Sequence, residues 1–523
     1  MDVLEPAARK TIETEALPAY LQRRRWFASK DAAMKSARLA STDKIPGRTL
    51  DMLLTEVEVQ LENRTERYQL PLGICWDGET NSGSALVQQL ALARVRQTNR
   101  LGYLTDAFAL DALPLGLIRA LRAHLVLNVS EGEARCIPTP YLDAITIPEN
   151  PEIRRLSAEQ SNSSLIVAEQ VVMKIIRRVA IGINPEVEML RYLTEHGYAN
   201  TPPMLGEICR VKHDGSSHTM IVAQKFVHNQ GDGWQWTLNY LTRLNETMGL
   251  GEKTGADEED AFANYAAFAR AMGTRLAELH EVLARPSADP AFDPEEVTQA
   301  DIHAWAENTT RQIETAMALV REVKEWPGDA SRDAASFVLA NQERIIATIP
   351  ALAKSGLGTL KTRIHGDFHL GQVLFAAGDA YLIDFEGEPS KTVEVRRAKS
   401  CPVRDVAGLL RSFHYAAAAA RLNRTGALDA SGAQSAAALQ RFVDDMSAQF
   451  LNAYDAAAGT APQNPGASGI SGNPLLDLFL LEKAAYEICY EAANRPGWIN
   501  IPLRGFNEIA MRVLNPVRET VDA

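Results

Sequence analysis

The spacing of apolar side chains changes once along the chain, and the change divides it. Over 52–60 and 68–75 apolar and polar residues alternate with period two, which predicts antiparallel strands with one face buried. Short apolar runs at 171–176 and 218–227 also read as strands, with Lys174 the one charge inside the first. From Trp234 onward the period lengthens: Phe262, Tyr265, Phe268, Met272, Leu276 and Leu279 recur at three and four, predicting a long helix over 257–283. Further helices are expected over 297–323, 332–352 and 404–422. A β-rich first part followed by a helical second part is an α+β pattern.

Punctuation refines this picture. L-P-A-Y-L-Q-R-R-R-W-F-A-S-K (17–30) reads as a helix end whose Trp26–Phe27 pair anchors to a core. Residues 91–151 mix helix-like and strand-like runs. A turn-rich break falls at 423–435 and a second, rich in Gly, Pro and Ser and expected to be a mobile loop, at 458–474. No internal repeat is present.

Candidate chemistry concentrates in R-I-H-G-D-F-H-L-G-Q-V-L-F-A-A-G-D-A-Y-L-I-D-F-E-G-E-P (363–389). Phosphoryl transfer needs a carboxylate to orient the attacking hydroxyl and accept its proton, and hard oxygen ligands for Mg²⁺. Asp367 and Gln372 keep the spacing of the base and amide ligand in the protein-kinase H-R-D-L-x-x-x-N element, and Asp384 ends the following strand where a second carboxylate ligand belongs. Glu386 is an accessory metal candidate. His365 and His369 are four apart, but the Gly and Asp between them suit a helix poorly and no H-E-x-x-H glutamate is present, which disfavours zinc.

Three other segments fit a nucleotide. An ammonium in an apolar strand is costly unless compensated, so Lys174 calls for a carboxylate. The next helix, capped by Asn184 and Pro185, offers Glu186 and Glu188 in its first turn. Before the lysine strand, Ser161, Asn162, Ser163 and Ser164 supply small polar residues where a kinase covers the phosphates, without G-x-G-x-x-G. Backbone groups from Gln224 to Val227 occupy the hinge position that would read the adenine edge, and Asp232 suits either ribose or a helix cap. The expected cofactors are therefore ATP and Mg²⁺.

Composition narrows the alternatives. The 523 residues exceed one core, and a net charge of −12 argues against a general nucleic-acid or anionic-membrane binder. Five cysteines are scattered without metal spacing, and neither a leader-like start nor a membrane-length apolar span is visible, so a cytoplasmic protein is expected.

H-G-D-F-H-L-G-Q-V-L, I-D-F-E-G-E-P and R-D-V-A-G-L-L-R-S-F (404–413) together resemble the maltokinases, which are aminoglycoside-phosphotransferase-like kinases. The R-W-F element and the late E-K-A-x-Y-E, N-R-P and I-P-L segments (481–505) extend the likeness. The resemblance implies a bilobal protein-kinase-like fold: a β-rich N-terminal cap over 1–90, an intermediate region and kinase N-lobe over 91–228, and a mostly helical C-lobe over 229–523. It implies transfer of the ATP γ-phosphoryl group to the anomeric hydroxyl of maltose, feeding α-glucan synthesis. Glu188 then matches the N-P-x-x-E glutamate that pairs with Lys174. On the acceptor side it points to His369, Arg411, His414, Tyr415, Tyr486, Glu487, Tyr490 and Glu491. Association with a separate trehalose synthase is a further implication. A kinase for another sugar such as glucosamine, an aminoglycoside or choline phosphotransferase, and a catalytically silent sugar-binding module are the competing readings.

Overall fold

The computed structural model describes residues 5–44, 52–78, 84–156, 161–249, 255–422, 430–459 and 469–515. These form two compact units, Met1–Glu195 with Pro202–His228, and His196–Thr201 with Asn229–Ala523.

The first unit holds two antiparallel sheets. One contains β1 (Met34–Lys44), β2 (Met52–Leu61), β3 (Thr65–Gln69), β4 (Leu72–Trp76), β5 (Ala91–Gln97) and β6 (Arg100–Asp106), in the order β1-β2-β4-β6-β5 with β3 on β2. The alternating stretch 68–75 is thus two strands, because Pro71 has no N–H to give a continuous ladder. Trp26 and Phe27 are buried over Tyr68, with ring centroids 5.7 and 5.3 Å away, so the aromatic pair does anchor the N-terminal helical segment while the arginines before it end the helix. The sheet runs on to Asp106 and takes β5 and β6 from the mixed region.

The other sheet comprises β7 (Val126–Val129), β8 (Gly132–Pro138), β9 (Ile153–Arg155), β10 (Ser163–Val167), β11 (Val171–Ile175), β12 (Met204–Lys212) and β13 (Ser217–Lys225), ordered β7-β8-β12-β13-β11-β10-β9. The helix Ala112–Arg122 buries Leu113, Leu117, Ile118 and Leu121 in the core it shares with this sheet. A buried ionic node joins the sheets: Arg210 contacts Glu56 at 3.1 Å and Asp43 at 2.8 Å, and His218 contacts Glu56 at 3.0 Å. Burial opposes the charge on Glu56, but the bonds from His218 and Arg210 win and lower its pKa.

The second unit is helical around a small hairpin. The helix expected over 257–283 is Gly255–Leu283, and that expected over 404–422 is Val403–Leu422. The stretch 332–352 divides at Asn341 into Asp329–Ala340 and Gln342–Lys354. The break placed at 423–435 gives way to helix from residue 430, since Ala430–Ala458 is helical; of the second break, 460–468 lie outside the described residues. Two short pairs, β14 (Glu295–Glu296) with β15 (Leu360–Lys361) and β16 (Val373–Ala376) with β17 (Asp379–Leu382), complete the strands. Among the described residues no helix is long and apolar enough to cross a membrane.

Candidate active site

The 363–389 stretch forms a loop and the β16–β17 hairpin of the second unit. His365 is 1% exposed, packs with tilted rings against Phe368 and Phe385, and its Nε2 bonds the Ile383 carbonyl at 2.9 Å. It is an internal strut tying the two halves of the site, which disposes of the metal-histidine reading. Gly366 follows at φ 82°, the left-handed region open to glycine.

The loop is fastened from the helix Val403–Leu422. Asp405 accepts the N–H groups of His365 and Gly366 at 2.8 and 2.9 Å, and Ser412 Oγ accepts from Leu370 N at 3.2 Å. A Cβ at Gly408 would lie 2.5 Å from the Phe368 carbonyl oxygen, so glycine lets the helix come this close. Burial pushes the Asp405 carboxyl up, but His280, His365 and the Gly366 N–H hold it below its ordinary value.

Held in this way, Asp367 keeps its side chain partly open, 21% exposed. Gln372 Nε2 donates to Asp384 Oδ2 at 3.2 Å, so the amide and the second carboxylate converge as the spacing predicts. Asp384 sits at φ 66°, an unusual conformation for a non-glycine residue and one often found where side-chain placement matters more than backbone ease. The contact is made by the amide nitrogen; the Gln372 amide oxygen and the Asp384 carboxylate are the kinds of hard donor that Mg²⁺ takes. Glu386 lies two residues on, half-buried, its carbonyl accepting from Arg396 at 3.1 Å.

On the acceptor side one residue escaped assignment. Lys483 Nζ lies 3.7 Å from Asp367 Oδ1 and 5.3 Å from the centre of the Tyr486 ring. No sequence signal ties it to Asp367. His369 Nε2 is 4.0 Å from Asp367 Oδ2, while its Nδ1 accepts from Gly371 N at 3.0 Å. Burial lowers the His369 pKa; Asp367 and Asp384 oppose that, while Lys483 and His365 add to it. Tyr486 bonds Glu388, whose carboxyl burial pushes up but which Lys391, Tyr486 and Ser390 together bring down to about 2. Tyr490 is 46% exposed.

Four of the acceptor candidates are corrected. Arg411 is 1% exposed and pairs with Glu487 at 2.8 Å, its guanidinium packed so tightly on Gly505 that no side chain fits there. Tyr415 donates to Glu491 at 3.2 Å, and Glu491 also pairs with Arg495 at 2.7 Å. Glu487 and Glu491 are buried on Pro474–Asn494, whereas Lys483 and Tyr486 are half-buried and Tyr490 is exposed, so neighbouring positions of the helix differ in burial. These four residues hold helices together. His414 lies nearby, its pKa lowered to about 3 by burial and then by Arg411, Arg512 and Arg504.

The first unit requires three further corrections. Lys174 Nζ donates to both Glu186 carboxylate oxygens, at 3.1 and 2.9 Å, so Glu186 takes the pairing role expected of Glu188. Two residues apart on a helix are about 200° apart around it, and here Glu186 is buried where Glu188 is half-exposed. The Ser163 hydroxyl is buried and accepts from Arg177 Nε at 2.8 Å, facing the protein interior, whereas Ser161 is exposed. Gln224 lies within the ladder opposite Val172 and Met204, so its backbone has a strand on either side. The chain leaves the sheet after Lys225, with Phe226 N bonded to Gln170 O at 2.9 Å and Val227 beyond.

Residues 152–387 match the phosphotransferase enzyme family, and residues 20–109 match the maltokinase N-terminal cap domain. The two matches place a phosphotransferase-family region after a maltokinase-type cap region in one chain. Glucosamine kinase of Mycolicibacterium smegmatis is 26% identical over 351 residues, covering 67% of this chain and 77% of its own. Glucosamine kinase of Streptacidiphilus jiangxiensis is 27% identical over 361 residues, 67% of this chain and 71% of its own. A solved glucosamine kinase in complex with glucosamine, ADP and inorganic phosphate superposes with a TM-score of 0.61 at 19% identity, covering 94% of this chain and 98% of that one. The fold is therefore the kinase-like α+β fold of the phosphotransferase region, with β-rich sheets first and helices after, and the two matched regions support a sugar kinase.

Proposed function

We propose that this kinase transfers the γ-phosphoryl group of ATP to the anomeric hydroxyl of maltose, giving maltose 1-phosphate and ADP. The observation that carries the choice of acceptor is Lys483, whose ammonium stands 3.7 Å from Asp367. A positive charge beside the base opposes a protonated amino sugar and suits a neutral one, to whose hydroxyls it can donate. The adjoining Tyr486 ring offers an aromatic face to sugar C–H groups.

In this reading Asp367 orients the anomeric hydroxyl and accepts its proton as oxygen attacks the γ-phosphorus. The bond from that phosphorus to the β-bridging oxygen breaks, and ADP leaves. Gln372 and Asp384, with Glu386 as accessory, hold Mg²⁺, which when bound neutralises phosphate charge. Lys174, fixed by Glu186, takes the α and β phosphates, and the backbone at Phe226–Val227 reads the adenine edge.

A second reading, phosphorylation of glucosamine, is favoured by the names of the relatives and by the Glu388 carboxylate beside Tyr486, which could receive an ammonium. The test is ADP release by purified protein with Mg-ATP and maltose, glucose, glucosamine, trehalose or an aminoglycoside, followed by phosphorus NMR of the product. Maltose-dependent release with an anomeric phosphate is expected. Release with glucosamine alone replaces the acceptor, and release with none of them removes the kinase reading.

A further inference from the structure

The stretch that carries Asp384 and Glu386 runs on into a turn, E-P-S-K (388–391). The Lys391 N–H donates to the Glu388 carbonyl at 3.0 Å, and Pro389 brings the fixed φ that the second position of such a turn favours. The turn folds two of its side chains back on its first residue. Lys391 Nζ lies 2.8 Å from Glu388 Oε2, and Ser390 Oγ donates to Glu388 Oε1 at 2.8 Å. From the helix Pro474–Asn494, the Tyr486 hydroxyl bonds the same carboxylate. The Glu388 side chain is 11% exposed and that of Lys391 47%, so the acid is mostly covered while the lysine stays open to water. Arg396, packed on Gly387, donates to the Glu386 carbonyl at 3.1 Å and holds the approach to the turn.

We propose that Lys391 sets which acceptors this kinase takes: by holding Glu388 it closes the acidic end of the acceptor site to amino sugars and leaves the site to neutral ones. The inference deepens the maltose reading given above and rests on it. Tyr486 links the turn to the base, because its ring centre lies 5.3 Å from Lys483 Nζ, which lies 3.7 Å from Asp367. The two carboxylates that reach Lys483 and Tyr486 therefore each have a lysine of their own, Asp367 with Lys483 and Glu388 with Lys391. An arriving ammonium meets acids already answered and two like charges beside them, whereas a hydroxyl brings no charge to be repelled. Discrimination of this kind needs a repulsive element as well as an attractive one. A pair as open as Lys391 with Glu388 adds little to stability, so the choice of acceptor is what the Lys391 charge can supply. Lys391 is thus a positioning residue for specificity, acting through Glu388.

The test uses the full-length chain and two sugars that differ in one group, glucose and glucosamine, with maltose as the reference. With saturating Mg-ATP, kcat/KM is measured for each in wild type, Lys391→Met, Lys391→Arg, and Lys391→Met combined with Glu388→Gln. Lys391→Met keeps the stem of the side chain and frees the carboxylate. It should raise the glucosamine-to-glucose ratio about tenfold, the size of one charge-assisted contact. Lys391→Arg should keep the wild-type ratio, and the double variant should return to it. Each value is a ratio taken on one protein, so a general loss of activity cancels. For a variant that turns over neither sugar, the ratio is read from calorimetric titration in the presence of Mg-ADP. An unchanged ratio in Lys391→Met, binding of neither sugar by it, or a gain that persists without the Glu388 charge overturns the inference and leaves the maltose reading standing. A wild-type preference for glucosamine over maltose overturns the maltose reading, and the inference with it.

Discussion

The carboxylate of Asp405 accepts the backbone N–H of His365 at 2.8 Å, two residues before Asp367. The same carboxylate meets His280 Nε2 at 3.1 Å, and the other nitrogen of that ring lies 2.7 Å from the Tyr454 hydroxyl. The loop is thereby hung from a chain of buried polar groups instead of from solvent. Asp405→Asn keeps the shape but uncouples the charge. It should lower the melting temperature, with roughly 3 kcal/mol lost as for other broken buried pairs. It should also reduce kcat by about 10²-fold, because a misplaced base costs that much. Calorimetry and steady-state kinetics check this, and full activity in the less stable variant would separate the tether from catalysis.

Asp367 itself contributes little to the fold. Its carboxylate is partly exposed and its charged neighbours lie 3.7 and 4.0 Å away. Asp367→Asn should leave the melting temperature within a few degrees and lower kcat by about 10²–10⁴-fold, the range of a lost general base. Near-normal turnover would remove Asp367 from the role.

The pairing of Lys174 with Glu186 gives a sharper contrast. Glu186→Gln should raise the KM for ATP by about tenfold or more, since the lysine loses a two-oxygen partner at 3.1 and 2.9 Å. Glu188→Gln should change it less than about threefold. Parallel ATP titrations decide, and the reverse order would restore the assignment read from the motif.

That reversal of Glu186 and Glu188 shows where sequence reading stops. The approach of Gln372 to Asp384 could be read because both lie in one short stretch whose glycines and apolar flanks leave little freedom. The long helix at 255–283 could be read because its apolar face repeats over many turns. What the sequence concealed depends on which way a helix is rotated against its neighbours. Glu186 and Glu188 are equally good first-turn acids, and only packing decides which is buried. Likewise, Tyr486, Glu487, Tyr490 and Glu491 share one spacing, but only the two glutamates are buried. The Arg177–Asp106 contact joins residues more than seventy positions apart, and no local pattern announces such a pair.

His414 carries a prediction in pH. Burial, and then the charges of Arg411, Arg512 and Arg504, lower its pKa to about 3, with Glu508 at 4.0 Å as the opposing charge. The folded protein thus keeps His414 neutral where an unfolded chain would take up a proton, below about pH 6.5. The unfolded state then binds more protons, so this contribution to stability is fully present above about pH 6.5 and shrinks as pH falls toward 3. Between pH 6 and 5 the loss approaches about 1 kcal/mol. Glu508, whose own pKa burial raises, titrates in the same neighbourhood, so the comparison is made between proteins rather than within one. Denaturant unfolding of wild type and His414→Gln at both pH values should show a smaller pH-dependent loss in the variant. Equal losses would mean that the arginines do not keep the imidazole neutral.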